Sequence, residues 1–370
     1  MSPAELDAVL QQAVDGRQVP FVVATAATCE GIVYEGAVGQ PVDAIVAIAS
    51  MTKPVTSVAV MQLVEAGKVQ LDEPAHTYVP ALGAVQVLEN GERRPPASPP
   101  TVRQLLTHMS GFAYEFLNPE IADLVKTGSL PTLFAGTDEF LQAPFVFDPG
   151  VRWEYGISTD WLGRLVETVS GQTLEAYFRS RIFEPLAMTD TFFEVPADQA
   201  DRMAATYARQ PDGSLAALPR ESPRPPAFLS GGGGLYSTAA DYLRFARALL
   251  GDGAVEGRRI LRPETVTMMA QNQIGDLTLP PMVSLNPQLI SPEVTLPGRP
   301  DAFGLGFAFN RQAAASGRGA GSLTWAGAYN TFFWVDREKG RCAVLLTQVL
   351  PFGDPGAVRV VEDFERAWYR

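Results

Sequence analysis

A serine and a lysine separated by two residues, Ser50 and Lys53, open a long apolar segment that runs to Gly67. At the start of a helix, residues three apart stand one above the other on the same face. A serine hydroxyl is a poor nucleophile until a neighbour takes its proton, and a lysine amine shielded from water can do so. Such a pair can form a covalent acyl intermediate. The four residues alone fit better a helix-capping serine followed by a solvated lysine, so the case for chemistry rests on the rest of the chain.

Two other stretches carry chemistry. Phe147-Asp148-Pro149-Gly150-Val151-Arg152-Trp153-Glu154-Tyr155 is a tight turn that delivers aromatic residues just before a helix. A tyrosine there can shuttle protons, and a nearby lysine ammonium favours its phenolate; packing at a helix entry is the alternative. Trp325-Ala326-Gly327-Ala328 reads as a strand whose small residues admit a ligand close to the backbone. Its N–H groups could join that of Ser50 in an oxyanion hole. Ser230-Gly231-Gly232-Gly233-Gly234 lacks the Gly-Lys-Ser/Thr ending of a phosphate loop and reads better as a close passage of the chain beside a site. The two histidines, His76 and His108, stand in no Gly-x-Ser-x-Gly context, so a Ser-His-Asp triad is disfavoured. No Cys, His and carboxylate cluster has metal-ligand spacing, and neither a metal nor a cofactor is expected.

The segment after Ser50 and Lys53 (Val55, Val58, Ala59, Val60, Met61, Leu63, Val64) is apolar nearly all round, which predicts a buried central helix. Before it, Phe21–Thr28, Gly31–Val38 and Ala44–Ala49 read as strands, following an amphipathic helix within Met1–Val19. From Ala75 to about Arg224 the texture is helical and punctuated by proline, with helices predicted at Thr101–His108, Thr159–Ser170 and Leu174–Ile182. A helix over Thr238–Leu250 follows, then an irregular proline-rich stretch over 275–300. Four strand-like runs (Gly304–Phe309, Ser322–Ala326, Tyr329–Val335, Arg341–Gln348) and a final helix close the chain. Strands from both ends must share a sheet if neither is to be left unpaired. The expected organisation is an α/β lobe from residues 1–74 and 225–370, with 75–224 inserted as a helical lobe and a cleft between them.

The chain has 370 residues, 46% hydrophobic and 19% charged, which describes a globular protein. Its net charge of −12, with no offsetting basic cluster, argues against a nucleic-acid partner. With no export signal and no membrane-length apolar run, a cytoplasmic protein without a membrane partner is expected. Cys29 and Cys342 fall in predicted strands and read as reduced core thiols. Oligomeric state is left open.

In order along nearly the whole chain, the motifs resemble those of the serine β-lactamase and penicillin-recognising superfamily, and most closely its family VIII carboxylesterases with the class C β-lactamase fold. They are Ser50-Met51-Thr52-Lys53, Gly67-Lys68-Val69-Gln70-Leu71-Asp72-Glu73-Pro74, Leu105-Leu106-Thr107-His108-Met109-Ser110-Gly111 and Pro149-Gly150-Val151-Arg152-Trp153-Glu154-Tyr155, then Glu184-Pro185-Leu186-Ala187-Met188-Thr189-Asp190-Thr191, Gly232-Gly233-Gly234-Leu235-Tyr236-Ser237-Thr238 and Trp325-Ala326-Gly327. The resemblance implies an antiparallel sheet flanked by helices, Ser50 as nucleophile, Lys53 as its base or base partner, Tyr155 as proton relay, and Ala328 N–H as second oxyanion donor beside Ser50 N–H. Two departures matter. Ile157 stands where the lactamases have asparagine, and Trp325 replaces their cationic lysine. Both lost groups serve lactam side chains and carboxylates, so Trp325, Ala326, Gly327 and Ile157 are expected to line a site for a neutral, apolar ester.

The expectation is a serine carboxylesterase acting on small, short-acyl esters. β-Lactamase or D-amino-acid peptidase activity, acyl transfer through the same acyl-enzyme, and a silent binding domain are the alternatives. Tyr114, Phe116, Phe134, Phe145 and the 275–300 loop are expected to shape the acyl and alcohol pockets.

Overall fold

In the computed structural model, which describes residues 2–219 and 225–370, the backbone is arranged about an antiparallel sheet drawn from both ends of the chain. Its strands are β1 (Val22–Thr28), β2 (Ile32–Val38), β3 (Ala302–Phe303), β4 (Ala308–Phe309), β5 (Leu323–Gly327), β6 (Thr331–Asp336) and β7 (Arg341–Leu346). They run in the order β3-β4-β5-β6-β7-β1-β2. The join between the two ends is the β1–β7 ladder, in register from Val23 opposite Leu346 to Thr28 opposite Arg341. β1 is buried on both faces and is accordingly a run of small apolar residues and threonine without alternation.

Five helices cover the sheet or carry the site: α1 (Pro3–Asp15), α2 (Thr52–Glu65), α3 (Ser158–Ser170), α4 (Ala239–Leu250) and α5 (Pro355–Tyr369). α1 and α5 cover one face of the sheet, where Tyr34 of β2 donates a 2.8 Å hydrogen bond to Asp7 and the Phe364 ring meets Tyr34 and Trp334. α4 covers the other face, with the Tyr242 and Phe333 rings 5.1 Å apart. Tyr242 also reaches beyond α4, donating a 2.7 Å bond to the Met51 carbonyl at the head of α2.

Every residue from Met51 to Met61 is buried, as an all-round apolar helix requires. Its few polar side chains are satisfied by neighbours. Thr56 donates to the Gly231 carbonyl at 2.7 Å, Ser57 to the Lys53 carbonyl at 2.8 Å, and Thr52 accepts the Leu235 N–H at 3.1 Å. α3 begins immediately after the aromatic turn at Tyr155 and stops at Gly171, in the left-handed conformation with φ 70°.

Several local expectations need correction. Cys29 lies outside the strands, in the bend between β1 and β2, and is exposed, so only Cys342 is a core thiol; both are free. The helical stretch also holds two short hairpins, Val87–Glu89 with Glu92–Arg94 and Tyr207–Arg209 with Leu215–Ala217. The predicted Leu174–Ile182 helix is a single α-helical turn and a half that passes into a π-helical turn over Arg179–Phe183. The expected boundary at 224/225 falls beside residues 220–224, which lie outside the described residues. No helix among the described residues is long and apolar enough to cross a membrane.

Candidate active site

The segment that carries Ser50 is pinned before it turns into α2. Val46 and Ala47 pair with Ser237 and Tyr236, and the Ile48 N–H donates to the Leu235 carbonyl at 3.0 Å. The chain then bends sharply through a single 3-10 turn, Ala49–Met51. Ala49 has φ 43°, a left-handed conformation that costs an L-residue about 1–2 kcal/mol. The bend presents Ser50 at the head of the buried helix.

Lys53 follows in the first turn of α2 and is 2% exposed. Its Nζ donates to Ser50 Oγ at 3.1 Å and to the Gly232 carbonyl at 2.6 Å. It also lies over the rings of Tyr155 and Tyr114, 4.8 and 5.2 Å from their centroids. A buried ammonium needs such company, because burying it uncompensated would cost far more than these contacts return.

Tyr155 arrives from the opposite side. The turn before it is tied to the 108–111 segment by Gly150 N–H to the Met109 carbonyl at 2.7 Å and Glu154 N–H to the His108 carbonyl at 2.9 Å. Its hydroxyl donates to Ser50 Oγ at 2.8 Å. The ring is boxed edge-on by Tyr114, Trp325 and His108, with centroids 5.0, 5.1 and 5.1 Å away. His108 therefore packs behind the tyrosine. Burial, and then the Lys53 charge, push its imidazole well below its ordinary range, so it stays neutral.

β5 passes close to Ser50 because Gly327 has no side chain; a Cβ there would strike the Ile48 carbonyl and the Thr331 hydroxyl. Ser50, Trp325, Ala326, Gly327 and Ala328 thus line one cavity of about 760 Å³, together with Tyr155. Its far walls are largely aromatic and aliphatic and include Tyr114, Phe116 and Phe134. Met282, Leu289, Ile290 and Leu296 of the 275–300 stretch complete them. Two expected contacts are corrected. Ile157 is buried at the entry to α3, where its carbonyl accepts the Asp160 N–H, and its side chain is not in the cavity wall. Phe145 is fully buried against Phe112, behind the wall. Among the described residues there is no cluster of His, Cys, Asp or Glu that could hold a metal ion.

Asp160 is not legible as a site residue in the sequence, because an aspartate in the first turn of a helix is ordinary. The fold turns it inward. It is fully buried, lines the cavity, and its Oδ1 accepts the Ser230 hydroxyl at 2.6 Å and the Gly232 N–H at 3.0 Å, while Oδ2 has no hydrogen-bond partner. Burial pushes its carboxyl up, against the opposing pull of Lys53 and these hydrogen bonds. The glycines at 231–234 let the chain thread between α2 and α3, and a Cβ on Gly232 would collide with the Asp160 carboxylate. Gly232→Ala is expected to lower unfolding free energy by about 1–3 kcal/mol, read as a reduced urea midpoint. An unchanged midpoint would show that the strip has room to shift.

The family model described as Beta-lactamase matches residues 6–366. Monacolin J acid methylbutanoyltransferase of Aspergillus terreus is 31% identical, over 98% of this chain and 95% of that protein. Lovastatin esterase of Penicillium rubens is 30% identical, over 99% and 98%. Among solved structures, unliganded simvastatin synthase from Aspergillus terreus superposes with a TM-score of 0.83 at 30% identity, over 99% of this chain and 98% of that one. The arrangement of helices about an antiparallel sheet is thus the fold that the ordered motifs implied.

Proposed function

The chain belongs to the beta-lactamase family, as a serine hydrolase or acyltransferase of that fold, and from this premise we propose that it is a carboxylesterase working through a Ser50 acyl-enzyme. The observation that carries the reading is the double hydrogen bond to Ser50 Oγ, from Lys53 Nζ at 3.1 Å and Tyr155 OH at 2.8 Å. Both partners are titratable and buried, so one of them in its basic form can accept the serine proton without competition from bulk water.

In the proposed cycle that proton passes to the Lys53–Tyr155 pair as Oγ attacks the ester carbonyl carbon. The carbonyl oxygen becomes an anion, met by the N–H groups of Ser50 and Ala328. The C–O bond to the alcohol breaks, and the pair returns the proton to the departing alkoxide. Water then repeats the sequence on the acyl-enzyme, giving its proton to the pair and releasing the acid as Ser50 recovers its own. Trp325 beside Tyr155, where a lactamase would carry a lysine, leaves no cation at that point to hold a lactam carboxylate.

The cavity bears on the size of the ester. About 760 Å³ lies within the range that holds a drug-sized ligand and exceeds what a short-chain ester fills. That room suits an ester with one bulky, apolar half. The same room favours a second reading, acyl transfer, because an alcohol acceptor can sit beside the acyl group. Two of the relatives carry a transferase or synthase name, and another is named an esterase.

A p-nitrophenyl butyrate assay tests the first reading, with nitrocefin as comparison. The expected result is ester turnover with kcat/KM at least about 100-fold above that for nitrocefin, since removing a hydrogen-bonded or charged recognition group costs two or more powers of ten. Comparable efficiencies would reverse the ranking of ester over lactam. Adding a bulky secondary alcohol and quantifying the new ester against free acid separates transfer from hydrolysis.

A further inference from the structure

We propose that Asp160 is a positioning residue for this chemistry, holding the Gly232 carbonyl against the Lys53 amine and adding the field of a buried carboxylate to the lysine's surroundings. The inference rests on the Ser50 acyl-enzyme reading for its catalytic consequence, but its structural half stands on geometry alone.

The connection runs through one residue. Gly232 gives its N–H to Asp160 Oδ1 at 3.0 Å and its carbonyl to Lys53 Nζ at 2.6 Å. Ser230 adds a second donor to the same Oδ1 at 2.6 Å. Asp160 thus anchors the glycine strip at the point where that strip grips the lysine. The carboxylate is buried, and Oδ2 has no hydrogen-bond donor among the described residues. A carboxylate in that setting stays ionised only if a cation is close, and Lys53 is the cation that acts on it.

The ionisable groups around Lys53, among the described residues, are Asp160 from α3, Tyr114 and Tyr155 over which it lies, and His108 behind Tyr155. His108 is neutral, and Tyr114 is held in its phenol form by burial first, then by Tyr155 and Asp160. Asp160 is therefore the carboxylate of this cluster, and its charge and that of Lys53 act on each other. An anion next to a cation makes that cation harder to deprotonate, and turnover requires one member of the pair in basic form. The carboxylate thus has two separable effects, an anchor for the glycine strip and a negative charge acting on the lysine.

Asp160→Asn separates these roles, because the amide Oδ1 can still accept from Ser230 and Gly232 while the charge is gone. The expected result is that the acid limb of the kcat/KM profile moves to lower pH by at least about half a unit, with the lysine grip retained. Asp160→Ala, which removes anchor and charge, is expected to lower kcat about tenfold or more, as small displacements of reacting groups do. An Asp160→Asn profile superimposable on the wild type would overturn the electrostatic role, and wild-type kcat in Asp160→Ala would overturn the positioning role.

A melting-temperature cycle needs no activity and keeps the test valid if Asp160→Asn is poorly folded or if the ester reading fails. Lys53→Met strands the carboxylate, so Lys53→Met/Asp160→Asn is expected to melt above Lys53→Met alone. A double variant that melts no higher would sever the charge link between the two residues. Absence of ester turnover in the wild type, with the cycle positive, would instead count against the acyl-enzyme reading only.

Discussion

Replacing Ser50 by alanine is expected to lower kcat/KM for an ester substrate by about 10⁴-fold or more, the scale on which loss of a serine nucleophile acts. Oγ is the atom on which Lys53 and Tyr155 converge, and among the described residues no other atom receives both. Removal of the hydroxyl is expected to leave the fold intact, since the Oγ hydrogen bonds run to the Lys53 and Tyr155 side chains. Intact-mass measurement provides the companion readout. A fluorophosphonate probe is expected to add to the wild type and to leave Ser50→Ala unmodified. Turnover or labelling persisting in the variant would place the nucleophile elsewhere.

Lys53→Met is expected to have the next largest effect, lowering kcat/KM by about 10²–10⁴-fold, the usual contribution of a positioned general base. Methionine fills most of the lysine volume but leaves the Gly232 carbonyl without its donor and Ser50 Oγ with Tyr155 alone. Stability is expected to fall as well, by about 1–3 kcal/mol for the unsatisfied buried acceptor. Tyr155→Phe is the informative partner, because it keeps the lysine and its Gly232 bond while removing the phenol. Steady-state kinetics on both variants rank the two groups. A Lys53→Met enzyme within tenfold of wild type would show that the tyrosine alone suffices.

Ser50, Lys53 and Tyr155 are legible in the sequence because each rests on a local rule. Residues three apart at a helix start share a face, and a proline-glycine turn delivers an aromatic run to the next helix. Their convergence is not readable from spacing, since Tyr155 reaches Ser50 only through tertiary packing; the order of the motifs points to it instead. What stays hidden has a common cause. Asp160 looks like any acidic residue in a first helical turn, and only the glycine strip pressed against α3 makes it a buried anchor. Ile157 belongs in the cavity by its position in a motif, whereas the start of α3 rotates its side chain into the core. The pairing of the two ends in one sheet follows from a physical reason, that β1 could not stand unpaired. The small hairpins escape notice because strands of three residues carry too little periodicity to detect.

The β1–β7 ladder has a consequence for how the protein is made. Thr28 is synthesised more than 300 residues ahead of its partner Arg341. At about 5–20 residues per second that interval lasts roughly 15 to 60 seconds. Throughout it β1, apolar on both faces, lacks the strand that covers its edge. Ser50 and Lys53 are made soon after β1, but the β5 strand that closes the cavity over them follows only after most of the other elements. The nascent chain thus carries its reactive pair long before it has a site.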